Sequence, residues 1–305
     1  MPRALKMRQN DYFSTWHNYC PLEKPLIMEN PFKQPHLLAH DTIGDDNDFI
    51  PLLTSEDEEN MNSEKTPEIL PILPLRNTVL FPGVVIPITV ARDKSINLIK
   101  EAYKGTKIIG VVSQKNDNIE DPGASDVNAM GSVASIIRML RMPDGSTTAI
   151  IQGKRRFRIT EFLQEEPYLK AQVEPINETR PEKNDKEFLA TVSSLKDMAL
   201  QIIQKSPHIP SEAGFALNNI ESPSFLVNFI SSNMNAPVLE KQRMLEVQDL
   251  KERATLVLGL LTKELKLLEL KNQIQNKVKT DIDKQQREYF LHQQIKTIQE
   301  ELGGN

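Results

Sequence analysis

The longest regular pattern in the chain lies near its C-terminal end, where apolar residues recur at steps of three and four. Residues 249–302 contain no proline and a single glycine, Gly259, so little in this stretch opposes a helix. The apolar positions form one seam between faces rich in Lys, Glu and Gln: Leu267, Leu270, Ile274, Val278, Ile282, Ile295, Ile298 and Leu302. We therefore predict one helix of roughly 80 Å, longer than a compact domain requires and suited to a mechanical connector.

Residues 67–178 show a different pattern, in which short apolar runs are separated by turn residues, as is typical of β-strands. The predicted strands are 69–75, 84–90, 107–114, 132–142, 147–152, 156–160 and 169–174. One predicted helix, about 93–103, interrupts them, and Pro143-Asp144-Gly145-Ser146 has the composition of a hairpin turn. These patterns predict a β-rich domain.

Helical periodicity replaces the strand pattern after a linker rich in Pro, Asn and charged residues. The first predicted helix carries an apolar stripe made of Phe188, Val192, Leu195, Ala199 and Ile202. Ser222-Pro223 then supplies an N-cap and a first-turn proline for a short apolar helix. We predict a helical subdomain over 185–305, ending in the long helix at about 249–302, and hence an α+β fold class.

The first 66 residues show neither helical nor strand periodicity. Between Asp41 and Glu64 acidic residues accumulate without a single Lys or Arg, a composition that repels itself and resists packing. We predict that residues 1–66 are a disordered acidic leader.

Composition narrows the functional classes. A lone cysteine, Cys20, provides neither a disulfide framework nor a cysteine-based zinc site. The first 27 residues hold no apolar run long enough for a signal peptide or a membrane span. A net charge of -5 with intermixed signs argues against a dedicated nucleic-acid binder. We expect a cytoplasmic protein with neither a membrane nor a nucleic acid as partner.

Residues 70–83 have the sequence LPILPLRNTVLFPG. This segment specifically resembles the N-terminal region of Lon, the ATP-dependent serine protease. In the β-rich part the resemblance continues through Gly131 to Ile137, Asp144-Gly145, Gly153, and Arg156 to Ile159. In the helical part it includes residues 232–234, 241–246 and 286–291, which are similar to the subdomain that precedes the ATPase module of that family.

The resemblance implies a PUA-like pseudo-barrel with one helix, joined to helices that lead towards an ATPase module. It implies a substrate-recognition and hexamer-assembly region of a bacterial-type protease, which degrades misfolded and regulatory proteins. ATP and magnesium would belong to domains missing from this chain. Gly105 to Gly110 is followed by Val111 and Val112 where a phosphate-binding loop needs Lys and Ser or Thr, so we assign no catalytic residue and no cofactor here.

Two sets of residues are the candidate functional sites. Phe81, Pro82 and Val84 form an apolar turn beside proline-rich strands, which could hold an unfolded polypeptide. The alternative is that Phe81 plugs one end of the barrel. Leu267, Ile274 and Val278 are the candidate assembly seam, through which copies of the chain would associate as a coiled coil in a homohexamer.

Other functions remain open at this stage. A freestanding adaptor could use the same β domain to bind polypeptides without proteolysis. Nucleic acid could bind the basic strand Lys154 to Arg158. However, the alternation of polar and apolar residues in this strand indicates an ordinary solvated face. His36 and His40 have helical spacing, but a third metal ligand is lacking nearby, and we predict no metal site.

Overall fold

The structure is a computed structural model that describes Met61 and residues 66–142, 146–182, 184–207, 209–210 and 212–303. The predicted acidic leader therefore lies outside the described residues, except for Met61 and Thr66. The half-buried side chain of Met61 packs against the larger hydrophobic core.

Six strands make up the β-rich part. They are β1 (Ile69–Leu75), β2 (Val85–Val90), β3 (Ile108–Ser113), β4 (Met130–Arg141), β5 (Thr147–Gln164) and β6 (Lys170–Pro175). The runs 147–152 and 156–160, predicted as two strands, are one strand of 18 residues. β4 and β5 pair antiparallel up to Arg141 and Thr147, so a hairpin joins them as predicted, while its tip lies outside the described residues.

The long strand β5 allows the sheet to close on itself. Its first half pairs with β2 and its second half with β6, while β4 runs along both. Since β4 continues through β3 and β1 back to β6, five strands form a closed ring and β2 lies beside β5. β1 and β3 are parallel and are connected through helix α1 (Asp93–Lys104). The predicted pseudo-barrel with one helix is confirmed.

Five more helices follow the sheet. They are α2 (Lys186–Lys205), α3 (Glu212–Asn218), α4 (Pro223–Asn233), α5 (Val238–Glu246) and α6 (Leu250–Glu301). The predicted stripe of α2 is buried except for Val192, which is half-buried. Ser222 caps α4 by accepting a hydrogen bond from the Phe225 N–H at 3.2 Å, with Pro223 in the first turn.

Helix α6 has 52 residues, in agreement with the predicted long helix. Asp249 begins it by accepting a hydrogen bond from the Glu252 N–H at 2.9 Å. Its first three turns pack against the other helices through Leu250, Ala254, Val257 and Leu261. From residue 273 onwards every described residue is exposed, so most of α6 extends away from the core.

Two hydrophobic clusters hold the protein together. The smaller one takes residues from β1, β3, β4, β5 and β6, with Phe157 fully buried among them, and fills the ring of strands. The larger one includes strand residues such as Ile86 and Ile136 together with buried residues of α2, α4 and α6. Because one continuous cluster serves both parts, the sheet and the helices share a core.

Candidate functional site

The turn that carries the candidate polypeptide-binding residues lies inside the protein. The side chains of Phe81 and Val84 are 0% and 4% exposed, and Pro82 is half-buried. Both buried side chains belong to the larger hydrophobic cluster. The alternative interpretation is that Phe81 plugs one end of the barrel. Phe81 is buried, but in the cluster shared with the helices rather than in the cluster inside the ring of strands.

Backbone contacts hold the turn tightly against the sheet. The Gly83 N–H donates to the Gly153 carbonyl at 2.8 Å, and the Gly153 N–H donates to the Val84 carbonyl at 2.9 Å. Gly83 has a φ of 82°, which glycine adopts at little cost. At Gly153 a Cβ would lie 2.2 Å from the Phe81 carbonyl oxygen, so only glycine permits this approach.

Side chains of α4 and β4 also contact this turn. The side-chain amide of Asn228, in α4, donates to the Pro82 carbonyl at 3.2 Å, and the hydroxyl of Ser132 donates to the Leu80 carbonyl at 2.6 Å. The turn is thus a joint between the sheet and the helical part. In this conformation Phe81 and Val84 are not presented to a polypeptide, and their part in binding stays a prediction.

The candidate assembly seam is accessible in this chain. Leu267, Ile274 and Val278 are 65%, 55% and 50% exposed. The seam continues along α6 through Leu270, Ile282, Ile295 and Ile298, all of them about half exposed. Leu267, Leu270, Ile274, Val278 and Ile282 follow one another at steps of three and four and so form an apolar stripe. Such a stripe on an exposed helix is typical of a surface that packs against a partner.

A buried charged cluster, which the sequence patterns do not reveal, joins the sheet, the linker and α6. Glu178 forms ion pairs with Arg253 and, at 3.8 Å, with Arg156, and it accepts a hydrogen bond from the Ser224 hydroxyl at 2.8 Å. Arg156 and Arg253 are 3% and 0% exposed. An arginine inside an alternating strand gives no signal of burial, because the groups that surround it come from distant parts of the chain.

Arg156 is buried, contrary to the prediction that its strand face is solvated, whereas Arg158 and Thr160 on the same face are exposed. The guanidinium of Arg156 donates hydrogen bonds to the carbonyls of Leu245 at 3.0 Å and Val247 at 2.6 Å, at the end of α5. Docking of the helical part against the strand therefore covers it. With Arg156 engaged in this way, the basic strand has one fewer cation for a phosphate backbone, and the nucleic-acid hypothesis is weaker.

Burial and charge both shift the pKa values within this cluster. Burial and the neighbouring charge of Arg253 lower the pKa of Arg156 to about 10, although Glu178 acts in the opposite direction. Burial raises the pKa of Glu178, but the charge of Arg253 and the hydrogen bonds from Ser224 and Arg253 outweigh it, so that pKa is lowered overall. Glu178 is thus held as the carboxylate that the two arginines need.

Among the described residues, no helix combines the length and the apolar composition that a membrane span requires. No group of three or more His, Cys, Asp or Glu side chains that could hold a metal ion occurs in the same part of the chain. His36 and His40 lie outside the described residues.

Comparison with known families resolves the resemblance seen in the sequence. Residues 69–263, more than half of the chain, match the family model of the ATP-dependent protease La (LON) substrate-binding domain. The chain belongs to the Lon protease family. It is 62% identical over 257 residues to the Lon protease of Flavobacterium johnsoniae and 52% identical over 256 residues to that of Cytophaga hutchinsonii. Each alignment covers 84% of this chain, and the chain spans about a third, 32%, of either Lon relative.

A solved structure supports the same fold. The N-terminal domain of a Mycobacterium avium complex Lon protease superposes with a TM-score of 0.53 and covers 64% of this chain and 98% of its own. Its sequence is 22% identical, so this likeness concerns the fold alone. The chain thus carries a Lon substrate-binding domain, and helix α6 begins within the matched residues and extends beyond them to Glu301.

Proposed function

We propose that this chain is the substrate-recognition and assembly region of an ATP-dependent Lon protease that degrades misfolded and regulatory proteins. The observation that carries the proposal is the family match over residues 69–263. In the full-length protein, ATP and magnesium would act in the ATPase module and a serine would act in the peptidase, in a cytoplasmic homohexamer. The residues present here would capture polypeptides and hold them near the entrance of the hexamer.

The exposed seam of α6 supports the assembly part of the proposal. Burial of a large apolar side chain contributes about 1.5–3 kcal/mol, so covering several seam residues at once would stabilise a helix–helix contact. A second copy of α6 is the partner that supplies the same stripe. Assembly would also bring several polypeptide-binding domains together, and tethered weak sites gain affinity through a high effective concentration.

Polypeptide binding can be measured with reduced, carboxymethylated casein as an unfolded probe. We expect saturable binding of this probe to the whole chain by fluorescence anisotropy, and no binding of a natively folded protein of similar size. Since the proposal requires recognition of the unfolded state, equal binding of both probes, or of neither, would reject it.

Assembly can be measured by sedimentation velocity. Substituting Leu267→Gln, Ile274→Gln and Val278→Gln together removes apolar contact without changing the net charge, and we expect it to abolish self-association. The matched control carries Gln273→Ala, Asn276→Ala and Thr280→Ala on other faces of the same helix and should sediment like the wild type. If the wild-type chain stays monomeric at high concentration, the seam alone does not cause self-association, and this part of the proposal is contradicted.

A further inference from the structure

The helical part contains an open apolar cleft between α2, α3, α4 and α6, distant in sequence from the turn at Phe81. Its interior measures about 60 Å³ and opens onto solvent. Its walls are mostly aliphatic, with Ile202, Leu217, Ile230 and Leu261 among the buried residues that face it. An apolar cleft with few polar groups in its wall has the composition of sites that take apolar groups.

One acidic residue lies in this apolar wall. Among the described residues that line the cleft, Glu264, from α6, is the one with a charged side chain. Its Oε2 atom is buried and has no hydrogen-bond partner among the described residues. Burial raises the pKa of Glu264, while a hydrogen bond from the Asn235 backbone and the charge of Lys241 lower it less strongly. A buried acceptor without a donor is unfavourable, so this oxygen is suited to a donor from outside.

The nearest buried cation does not supply that donor. The ammonium group of Lys241 donates a hydrogen bond to the Ser232 carbonyl at 2.6 Å and is almost completely buried. Within the described part of the chain, no ion pair within 4.0 Å joins Lys241 to Glu264. Lys241 therefore adds to the local field, and the hydrogen-bonding capacity of Glu264 Oε2 remains available at the cleft.

We propose that this cleft holds one apolar side chain of an unfolded polypeptide, with an adjacent arginine or lysine that donates to Glu264 Oε2. The inference rests on the proposed function, since it names the kind of segment that the substrate-binding domain selects. Apolar walls recognise the side chain, and the carboxylate discriminates between a basic and an acidic neighbour. Apolar side chains are mostly buried in folded proteins and become accessible when a protein unfolds, so an accessible apolar residue beside a basic one marks an unfolded segment.

The test uses three blocked, fluorescein-labelled peptides with the same Gly/Ser flanks and the central pairs Phe-Arg, Ala-Arg or Phe-Glu. We expect the whole chain to bind the Phe-Arg peptide about tenfold more tightly than either of the others, the usual size of one charge-assisted hydrogen bond or one buried side chain. Equal affinities for all three peptides would overturn the proposal.

Glu264→Gln keeps the shape of the side chain and removes its charge. We expect it to weaken binding of the Phe-Arg peptide about tenfold and to abolish the preference over Phe-Glu, while the preference over Ala-Arg remains. The control, Glu252→Gln, makes the same change at an exposed position of the same helix and should bind like the wild type. An unchanged preference in Glu264→Gln would reject the role of the carboxylate.

Ala213→Leu narrows the cleft from α3 and should weaken binding of both phenylalanine peptides about tenfold. If it instead dissociates a self-associated chain and leaves peptide binding unchanged, the cleft holds a second copy and the proposal is wrong. Carboxymethylated casein distinguishes failure of this inference from failure of the proposed function. Binding of casein without discrimination among the peptides overturns only this inference, whereas failure to bind casein removes the proposed function with it.

Discussion

The side-chain amide of Asn228 donates a hydrogen bond to the carbonyl oxygen of Pro82 over 3.2 Å and so joins two segments 146 residues apart in the chain. Pro82 belongs to the apolar turn that most resembles the Lon family, and Asn228 is 3% exposed. The contact gives the turn a structural role, because it places the helical part against the sheet.

Loss of this contact should lower the free energy of unfolding of the protein. Asn228→Ala leaves the Pro82 carbonyl without that donor, and we expect the free energy of unfolding to fall by about 1–3 kcal/mol. Urea titration followed by circular dichroism provides the measurement. Asn276→Ala, at an exposed position of α6, is the control and should change stability by less than about 0.5 kcal/mol. Similar values for the two variants would show that the contact contributes little.

The close approach at Gly153 predicts a larger effect. A Cβ at this position would lie 2.2 Å from the Phe81 carbonyl oxygen, so Gly153→Ala forces two backbone segments apart. We expect the free energy of unfolding to fall by about 2–4 kcal/mol. Gly259→Ala meets nothing within 4 Å in helix α6 and should instead stabilise the protein by up to about 1 kcal/mol. Effects of the same sign at both glycines would contradict the steric explanation.

Removal of the carboxylate from the buried charged cluster should be costly and dependent on pH. Glu178→Gln leaves Arg156 and Arg253 buried without their counter-charge, and we expect a loss of about 3–5 kcal/mol near neutral pH. The pKa of Glu178 is lowered in the folded protein, so its contribution is present above the ordinary value of 4.5 and is lost as the pH falls through the folded value. The difference between wild type and variant should therefore shrink in acid. Glu174→Gln, at an exposed position of β6, is the control.

Lys241 should give a pH dependence of the same sign as Glu178, but in the alkaline range. Burial is the main cause that lowers its pKa from 10.5 to about 8, so the unfolded chain binds the proton more readily than the folded one between these values. Stability contributed by this residue therefore rises as the pH increases from about 8 to 10.5. Relative to Lys241→Met, the wild type should gain stability over this range in urea titrations. A constant difference between the two would mean that Lys241 is not desolvated.

Local sequence patterns predicted most of the helices and strands, because these patterns reflect interactions between residues that are close in the sequence. The seam and caps of α6, the stripe of α2 and the alternation in β6 depend on neighbours within a few residues. The predicted break within β5 was wrong. The Gly153 that looks like an interruption is the point where the turn at Phe81 packs against an uninterrupted strand.

The sequence by itself determined the family, the order of strands and helices, and the length of α6, since motif and periodicity are properties of short segments. Only the tertiary structure decided which side chains are accessible. Phe81 and Arg156 are buried, and Glu264 faces an apolar cleft, because elements more than 25 residues away in the chain cover or surround them. Burial depends on contacts between distant segments, and these determine whether an apolar or charged residue acts as core, joint or binding surface.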